Sequence, residues 1–421
     1  MKRFKMLTVA GLMASPIAMS AGFMLNEQSV SDLGRGNAGR GVNADNAASL
    51  AFNPAVSALL EGQNISATFH YIDPNINVKG TQITPAGPRD ASADDVAPSA
   101  FVPGFYYSMQ FNEMISFGVS ANSYFGLSTD YPSNYAGSEF ANKTGIETMY
   151  LTPSIGVRIN EQFSVGLGLS YIYGSGEIKN TAPFPVPSIG LNTGDTLLDI
   201  DGNGSAFGWT IGGIYEFNED HRVGLSYRSA VDLEADVDVV ALGRVAPGTK
   251  AKGTLTFNLP DTAELSYFGQ ITDTVSLSLG LQYIGWSSFK NLTVDIDKAA
   301  NVAAPGKYLF KEENWEDSFR YAIGADYQLN DRVILRAGYS YDESPVKDEY
   351  RTLTIPDANR NWLTIGSTID FEEAGIIDLA FAYIKGDKVD VNESSTLGTV
   401  FNGELNKVDA FVFSIGYNYN F

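Results

Sequence analysis

Residues 411–421 read Phe411-Val412-Phe413-Ser414-Ile415-Gly416-Tyr417-Asn418-Tyr419-Asn420-Phe421, an alternation of large apolar residues with small or polar ones. Successive side chains of a β-strand point to opposite faces, so this stretch predicts a strand with one apolar and one polar face. The same alternation is clearest at residues 149–157, 163–171, 275–282 and 333–339. The chain therefore reads as a sheet that contacts an apolar medium on one side.

The first twenty residues resemble an export signal. Residues 2–5 carry three basic side chains, residues 6–17 are apolar, and residues 18–20 supply the small residues of a cleavage site. We predict a signal peptide over residues 1–20 and a mature chain that begins at Ala21. The apolar stretch is too short to span a bilayer as a helix. In an exported chain of this kind, we expect the apolar medium to be lipid.

Composition limits the classes of function. The net charge is −21, and loss of the three signal cations makes the mature chain more negative still, so nucleic acid is not an expected partner. Cysteine is absent, which excludes a disulfide scaffold, and no cofactor is predicted. The 22 Tyr and 25 Phe suit the aromatic girdles of a membrane barrel. A soluble β-sandwich is the alternative, although its exposed face would carry more Lys and Glu than the Gly and Ser found here.

Turn signals give a strand count. Short polar breaks lie at residues 112–114, 160–162, 218–221, 272–274, 330–332 and 372–375. They alternate with longer Gly-, Pro- and Asp-rich connections near residues 79–98, 128–145, 180–203, 240–249, 297–316, 344–360 and 392–406. These connections join fourteen strands and place both chain ends on the short-turn side, which is periplasmic in bacterial outer-membrane barrels. We predict an all-β fold, a 14-stranded antiparallel transmembrane β-barrel over residues 63–421 of a Gram-negative outer-membrane protein.

A barrel of this size has a lumen that strand side chains alone do not fill. Residues 21–62 are rich in Gly, Ala, Asn and Ser, show no alternation, and precede the first strand from the periplasmic side. We predict that they form an N-terminal hatch that plugs the lumen. A disordered periplasmic tail is the alternative.

A set of motifs occurs in order along the mature chain. It comprises Ala21-Gly22-Phe23-Met24-Leu25-Asn26-Glu27, Leu33-Gly34-Arg35-Gly36, Asn53-Pro54-Ala55, Asn258-Leu259-Pro260, Trp286, Asp342-Glu343-Ser344-Pro345-Val346, Ile355-Pro356-Asp357, Arg360 and Trp362-Leu363. This set resembles the FadL family, the long-chain fatty acid transporters of the Gram-negative outer membrane. The resemblance implies a monomer with a hatch, an outer hydrophobic groove and a deeper pocket. It also implies a kinked third strand that lets a hydrophobic molecule pass sideways into outer-membrane lipid and lipopolysaccharide.

The same resemblance suggests gate residues. It places Asn53, Pro54 and Ala55 beside the kink, and the third strand carries Ala121 and Asn122 in a small and polar run that suits a bulge or bend. Without the resemblance, Asn-Pro-Ala reads as an ordinary turn.

Ligand contacts are also predicted. Phe23 resembles the family's aromatic residue that reaches the deep pocket; packing of a mobile chain end is the alternative. The loop at residues 182–191 is apolar for a surface loop, and could form a capture groove or pack against other loops. The predicted ligand contacts are Phe23, Trp315, Phe319, Arg320 and the loop residues Phe184, Ile189 and Leu191.

Recognition of a carboxylate calls for a cation. Arg320 matches the family pattern, but Glu316 stands where the resemblance implies Lys, and the fifth strand lacks a basic residue at 173–177. A neutral aromatic hydrocarbon, as relatives in the family carry, is therefore the alternative substrate. The lumen arginines Arg158, Arg228 and Arg336, and Arg320 itself, are equally read as partners of Asp or Glu.

Two further sites are weighed. Asp199, Asp201 and Asn203 follow the start of a calcium loop, but its twelfth position is Thr210, and an Asp/Gly turn is the alternative. An outer-membrane lipase is the competing class of function. The two histidines, His70 and His221, lie in no nucleophile-elbow, zinc or phosphate-binding motif, so we predict that the chain is not an enzyme.

Overall fold

The computed structural model describes residues 22–421, so the predicted signal peptide and Ala21 lie outside the described residues. The described chain forms one 21-stranded sheet in which every pairing is antiparallel. Its strands are β1 (Gln63–Thr84), β2 (Gly87–Asp90), β3 (Ala100–Gln110), β4 (Ile115–Asn122), β5 (Gly126–Asp130), β6 (Lys143–Arg158), β7 (Phe163–Thr181), β8 (Thr196–Glu216), β9 (His221–Arg228), β10 (Val231–Ala241), β11 (Ala251–Leu259), β12 (Thr262–Thr272), β13 (Val275–Ile284), β14 (Asn291–Ile296), β15 (Gly306–Glu312), β16 (Ser318–Asn330), β17 (Val333–Asp342), β18 (Arg360–Asp370), β19 (Ile376–Gly386), β20 (Val389–Ser394) and β21 (Val400–Asn420).

These strands build a closed barrel whose wall is crossed fourteen times. Closure comes from β1 and β21, which pair from Asn64↔Asn420 to Ile83↔Val400. Six passes are interrupted and consist of two segments each: β4 with β5, β9 with β10, β11 with β12, β13 with β14, β15 with β16, and β19 with β20. β2 is not counted as a separate pass, because it pairs only with the last residues of β1, from Thr81↔Asp90 to Thr84↔Gly87. The predicted 14-stranded antiparallel barrel is therefore confirmed.

All six predicted short turns join consecutive strands where the sequence places them. Most of the long connections are shorter than predicted, and the one between β7 and β8 is among those that shorten most. β7 runs to Thr181 and β8 begins at Thr196, with Lys179 paired to Asp199. The Asp/Gly-rich stretch is strand because Ile178 and Ile200 are buried on its inner face, and this burial overrides its local turn preference.

Neither the calcium loop weighed for this stretch nor its alternative, an Asp/Gly turn, forms. Asp199, Asp201 and Asn203 lie in the middle of β8, on one face of an extended strand, and do not curl around an ion. Between residues 22 and 421 there is no group of three His, Cys, Asp or Glu placed to hold a metal ion.

The two faces of the wall differ as the alternation predicts. On β7, Phe163, Leu167 and Leu169 point outward with 38%, 44% and 60% of their surface exposed, whereas Ser164 and Ser170 are buried on the inner face. The outer face is therefore a continuous apolar surface, and the inner face is small and polar.

Residues 22–60 lie inside the barrel and are almost completely buried. They contain the helix α1 (Val30–Gly34) and two 3₁₀ helices, Ala47–Ala51 and Pro54–Leu59. Further 3₁₀ turns lie in the connections, at Pro187–Ile189, Trp286–Ser288, Asp348–Tyr350 and Glu372–Ala374. No helix in the described part of the chain is long and apolar enough to cross a membrane.

The N-terminal segment, as we call residues 22–60, is held against the inner wall by buried ion pairs and by glycines. Arg35 binds Asp32 and Asp326, both at 2.7 Å, and also contacts Asp45. A Cβ on Gly338 of β17 would lie 2.0 Å from the carbonyl carbon of Arg35, so only glycine lets the two backbones meet here. Arg40 binds Glu264 of β12 at 2.8 Å.

Candidate functional site

The third pass of the wall is broken. β4 ends at Asn122 and β5 begins at Gly126, and pairing between β3 and β4 ends at Phe105↔Ala121. From Phe105 toward the start of β3, the wall opens on one side. Residues 100–104 of β3 pair with β1 and with no other strand among the described residues. The opening ends at the last residue of β5, where the amide of Asp130 donates to the carbonyl of Val96 at 2.9 Å. We call this opening the wall gap.

Residues 23–25 of the N-terminal segment lie on the inner side of the wall gap. The amide of Leu25 donates to the carbonyl of Tyr124 at 2.7 Å, and the amide of Gly126 donates to the carbonyl of Phe23 at 2.9 Å. Met24 and Phe125 form an isolated antiparallel bridge between these two bonds. The segment thus supplies hydrogen bonds that a continuous wall would otherwise make.

Gln28 adds side-chain contacts at the same place. Its amide donates to the carbonyl of Ser123 at 2.6 Å and accepts from the amide of Asn122 at 2.7 Å. The hydroxyl of Tyr106 on β3 donates to the carbonyl of Gln28 at 3.2 Å. The predicted residues Ala121 and Asn122 therefore lie at the lower edge of the wall gap.

Asn53, Pro54 and Ala55 do not lie there. Asn53 caps the second 3₁₀ helix by accepting from the amide of Ala55 at 2.9 Å, which is the ordinary-turn alternative. A Cβ on Gly212 of β8 would lie 1.9 Å from the Asn53 side-chain oxygen, and a Cβ on Gly166 of β7 would lie 2.3 Å from the amide nitrogen of Ala55. Glycines in β7 and β8 thus hold this motif against other strands. The placement at the kink is corrected: residues 23–28 occupy the wall gap.

Phe23 lies in a buried group of aromatic rings, which we call the aromatic cluster. The ring centroid of Phe23 is 4.6 Å from Trp286, 5.3 Å from Phe257 and 5.4 Å from Phe289. Trp315 and Phe125 lie 5.7 and 5.9 Å away. Phe125 belongs to the broken third pass, so the cluster adjoins the wall gap. Packing of Phe23 is specific, not that of a loose chain end.

The side chain of Trp315 is held by a hydrogen bond to a buried glutamate, Glu313. Its indole N–H donates to Glu313 at 2.9 Å, and both side chains are buried. In the N-terminal segment, burial raises the pKa of Glu27 to about 7, although its own amide and Arg320 act in the other direction.

An apolar pocket adjoins the aromatic cluster through Phe257. It lies on the inner faces of β6–β8, β10 and β11 and has a volume of about 30 Å³. Its lining includes Ile146, Ile178, Leu233, Val237 and Leu255. The pocket, the cluster and the wall gap together form one continuous apolar region.

Other predicted ligand residues lie elsewhere. Phe319 points outward, 37% exposed, and packs on Tyr283, because its neighbours Ser318 and Arg320 take the inward positions of the alternation. Its assignment to the pocket is therefore wrong. Arg320 faces inward but donates to the carbonyl of Gly36 at 3.2 Å and to Ser340 at 2.7 Å, so it binds the N-terminal segment.

The loop between β7 and β8 does not reach the aromatic cluster. Ile189 is 56% exposed, Phe184 is half-buried, and Leu191 is buried against its own loop, where it bridges to Val186. These three residues lie in the long connection between β7 and β8, at the end of the barrel opposite the six short turns. Trp286, Phe289, Phe257 and Phe125 were missed as members of the cluster, because turn residues and strand breaks bring them together from separate passes.

Comparison with known proteins adds independent information. Residues 11–421 match the model of the family described as outer membrane protein transport protein (OMPP1/FadL/TodX). The chain is 33% identical over 440 residues to the long-chain fatty acid transport protein of Salmonella typhi, with 99% of this chain and 98% of that protein covered.

Solved structures share the fold. A FadL homologue from Pseudomonas aeruginosa aligns with TM-score 0.83 and 21% identity, covering 95% of this chain and 100% of the other. The Ralstonia pickettii toluene transporter TbuX aligns with TM-score 0.67 and 18% identity, covering 94% and 99%.

Proposed function

Because the chain belongs to the outer membrane protein transport protein family (OMPP1/FadL/TodX), we propose that it takes up long-chain fatty acids across the outer membrane. In this proposal a ligand enters the apolar pocket, displaces Phe23 from the aromatic cluster, and leaves sideways through the wall gap into the lipid. The observation that carries the proposal is the position of residues 23–25, which connect the cluster to the break in the third pass. The N-terminal segment is then a hatch, and its first residues are the moving part.

A sideways exit keeps the hydrocarbon tail of the fatty acid out of water. Burying each CH₂ is worth about 0.8 kcal/mol, so a sixteen-carbon tail that left through water would face a cost of roughly 12 kcal/mol. A route from an apolar pocket to lipid avoids that cost. Phe101 and Phe105 flank the wall gap on the outer face, 54% and 51% exposed, and would receive the tail.

The fold also supports proposals for the oligomeric state and for the orientation of the barrel in the membrane. Since β1 pairs with β21, the barrel has no free sheet edge for a second chain, and we propose a monomer in outer-membrane lipid and lipopolysaccharide. The six short turns lie on the same side as the start of β1 and the end of β21. We propose that this side faces the periplasm and that both termini are periplasmic.

The proposal is tested by uptake of radiolabelled oleate in cells that express the protein. We expect Ser123→Trp, which fills the wall gap, to abolish uptake while surface expression persists. Ser205→Trp, an exposed position on β8, is the matched control and should keep uptake. Normal uptake by Ser123→Trp would exclude the sideways route.

A second candidate substrate is a neutral aromatic hydrocarbon. It is favoured by the wholly aromatic surroundings of Phe23 and by Glu316, an exposed acid that binds Lys347 at 2.7 Å where the resemblance implies a cation. Binding of oleate and of toluene to the purified barrel separates the two. Preference for toluene would replace the fatty acid as the substrate.

We propose no enzymatic step. The Nδ1 of His70 lies 2.7 Å from the hydroxyl of Ser414, which is the one histidine–serine contact of interest in residues 22–421. His70 is completely buried, and its Nε2 has no hydrogen-bond partner in the described chain, so no acid orients the ring. An assay of the purified protein with esters should therefore show no hydrolysis.

A further inference from the structure

We infer that Arg228 binds the carboxylate of the ligand, in an inner cavity between the aromatic cluster and the N-terminal segment. The inference rests on the proposed function and names the residue that makes the site selective for an acid. It answers a chemical need, because the positions where the resemblance implies cations hold other residues, such as Glu316.

The inner cavity has a volume of about 10 Å³, room for about one water molecule, and it would widen when Met24 and Leu25 leave the wall gap as the proposed function requires. Met24, Leu25, Phe52 and Tyr124 line its apolar part, and Arg228, Glu264 and Gln282 line its polar part. Met24 and Tyr124 also belong to the contacts that close the wall gap. The cavity thus lies directly behind the proposed exit.

Arg228 differs from three other buried arginines of the lumen. Arg35, Arg40 and Arg336 each lie within 4.0 Å of at least one carboxylate. No carboxylate of residues 22–421 lies within that distance of Arg228, whose side chain is buried at 8% exposure. A buried cation without an anion is costly, so a ligand carboxylate that pairs with it gains a strong, charge-assisted contact.

The charge of Arg228 is not cancelled by Glu264, the acid in the same cavity. Both Glu264 oxygens accept from Arg40 Nε, at 2.8 and 3.0 Å. Gln282 also lines the cavity, and its side-chain nitrogen, unlike its oxygen, can donate to a carboxylate. The Gln282 amide contacts only the sulfur of Met24, at 3.9 Å, and is placed to serve a bound polar group.

Arg228 is coupled to the break in the wall. Its guanidinium carbon lies 3.4 Å from the ring centroid of Tyr124, and one N–H donates to the carbonyl of Ala51 at 2.8 Å. The hydroxyl of Tyr124 donates to that same carbonyl at 2.6 Å. A carboxylate that draws the guanidinium toward itself therefore acts on Tyr124, the residue whose carbonyl holds Leu25.

The test compares an acid with its ester. Binding of oleate and of methyl oleate to the purified barrel is followed by quenching of tryptophan fluorescence, in the wild type, Arg228→Met, Arg228→Lys and Arg222→Met. Arg222 is a matched control because it lies on the same inner face of β9 and packs 4.4 Å from the ring of Phe268, outside the inner cavity.

We expect Arg228→Met to weaken oleate binding about tenfold or more, to leave methyl oleate within about twofold, and Arg228→Lys to lose less. Arg222→Met should behave as the wild type. Equal effects of Arg228→Met on acid and ester, or none on either, would overturn the inference alone. If the wild type binds neither ligand, the proposed function itself fails. Should Arg228→Met not fold, Arg228→Lys decides, because a loss confined to oleate supports the inference and an equal loss refutes it.

Discussion

Replacing Phe23 by Ala tests whether the aromatic cluster holds the N-terminal segment at the wall gap. Phe23 is completely buried and packs against five rings. Five ring contacts at about 0.5–1.5 kcal/mol each would sum to at most about 7.5 kcal/mol. Because those contacts overlap with burial, we use the cost of a buried Phe→Ala change, about 3–5 kcal/mol.

That loss should fall on docking of residues 23–25, because the ion pairs of Arg35 and Arg40 hold the rest of the segment independently. A loss of about 3 kcal/mol or more raises the undocked fraction by roughly a hundredfold or more. The assay is hydrogen exchange of the Leu25 and Gly126 amides, which form the two bonds across the wall gap.

Phe413→Ala is the matched control, since it removes a ring that is 52% exposed on the outer face. It should leave both amides protected. If Phe23→Ala changes their exchange less than about threefold, the cluster does not hold the segment and the reasoning is refuted.

Two further predictions concern the same segment. Burial raises the pKa of Glu27 to about 7 from 4.5, so the docked state binds more protons, and docking should weaken by about 3 kcal/mol as pH rises from 4.5 to 7. Glu27→Gln should reduce the pH dependence of amide protection at Leu25, and an unchanged pH dependence would contradict this. Gly166→Val should displace residues 53–58 and cost about 1–3 kcal/mol in stability. Gly213→Val is the control and should cost little, because the nearest atom to a Cβ at this position is 3.6 Å away. Equal melting temperatures of the two variants would disprove the close approach at Gly166.

The sequence predicts the wall well, because strand alternation and turns are local. Phe163, Leu167 and Ser164 reveal their faces through the positions of their neighbours alone, and each short polar turn marks itself. Asp199 and Asp201 mislead for the opposite reason. Their local turn preference is overridden by pairing with β7 and β10, which lie far away in sequence.

The candidate site is less predictable, because it depends on contacts between distant segments. The sequence predicts both Phe319 and Arg320 as ligand contacts, although adjacent residues of a strand point to opposite faces. Asn53 was placed at the wall gap by resemblance, whereas the glycines that receive it lie on β8 and β9. The sequence predicts Phe23 as a ligand contact, which stays a prediction, but its aromatic partners come from passes that only folding brings together.

The central claim is that residues 23–25 close the wall gap and must leave it for a ligand to pass. Met24 and Phe125 face each other as a non-hydrogen-bonded antiparallel pair, a geometry with Cα atoms about 4.5 Å apart that suits a disulfide. The natural chain has no cysteine, so Met24→Cys with Phe125→Cys can form only the intended bond within the chain.

The decisive measurement is uptake of radiolabelled oleate by cells carrying this double variant, under oxidant and then under reductant, with each single variant as control. We predict that uptake stops when the disulfide forms and returns when it is reduced, while the single variants do not respond to oxidant. Full uptake by the oxidised double variant, with the bond verified by mass spectrometry, would contradict the account.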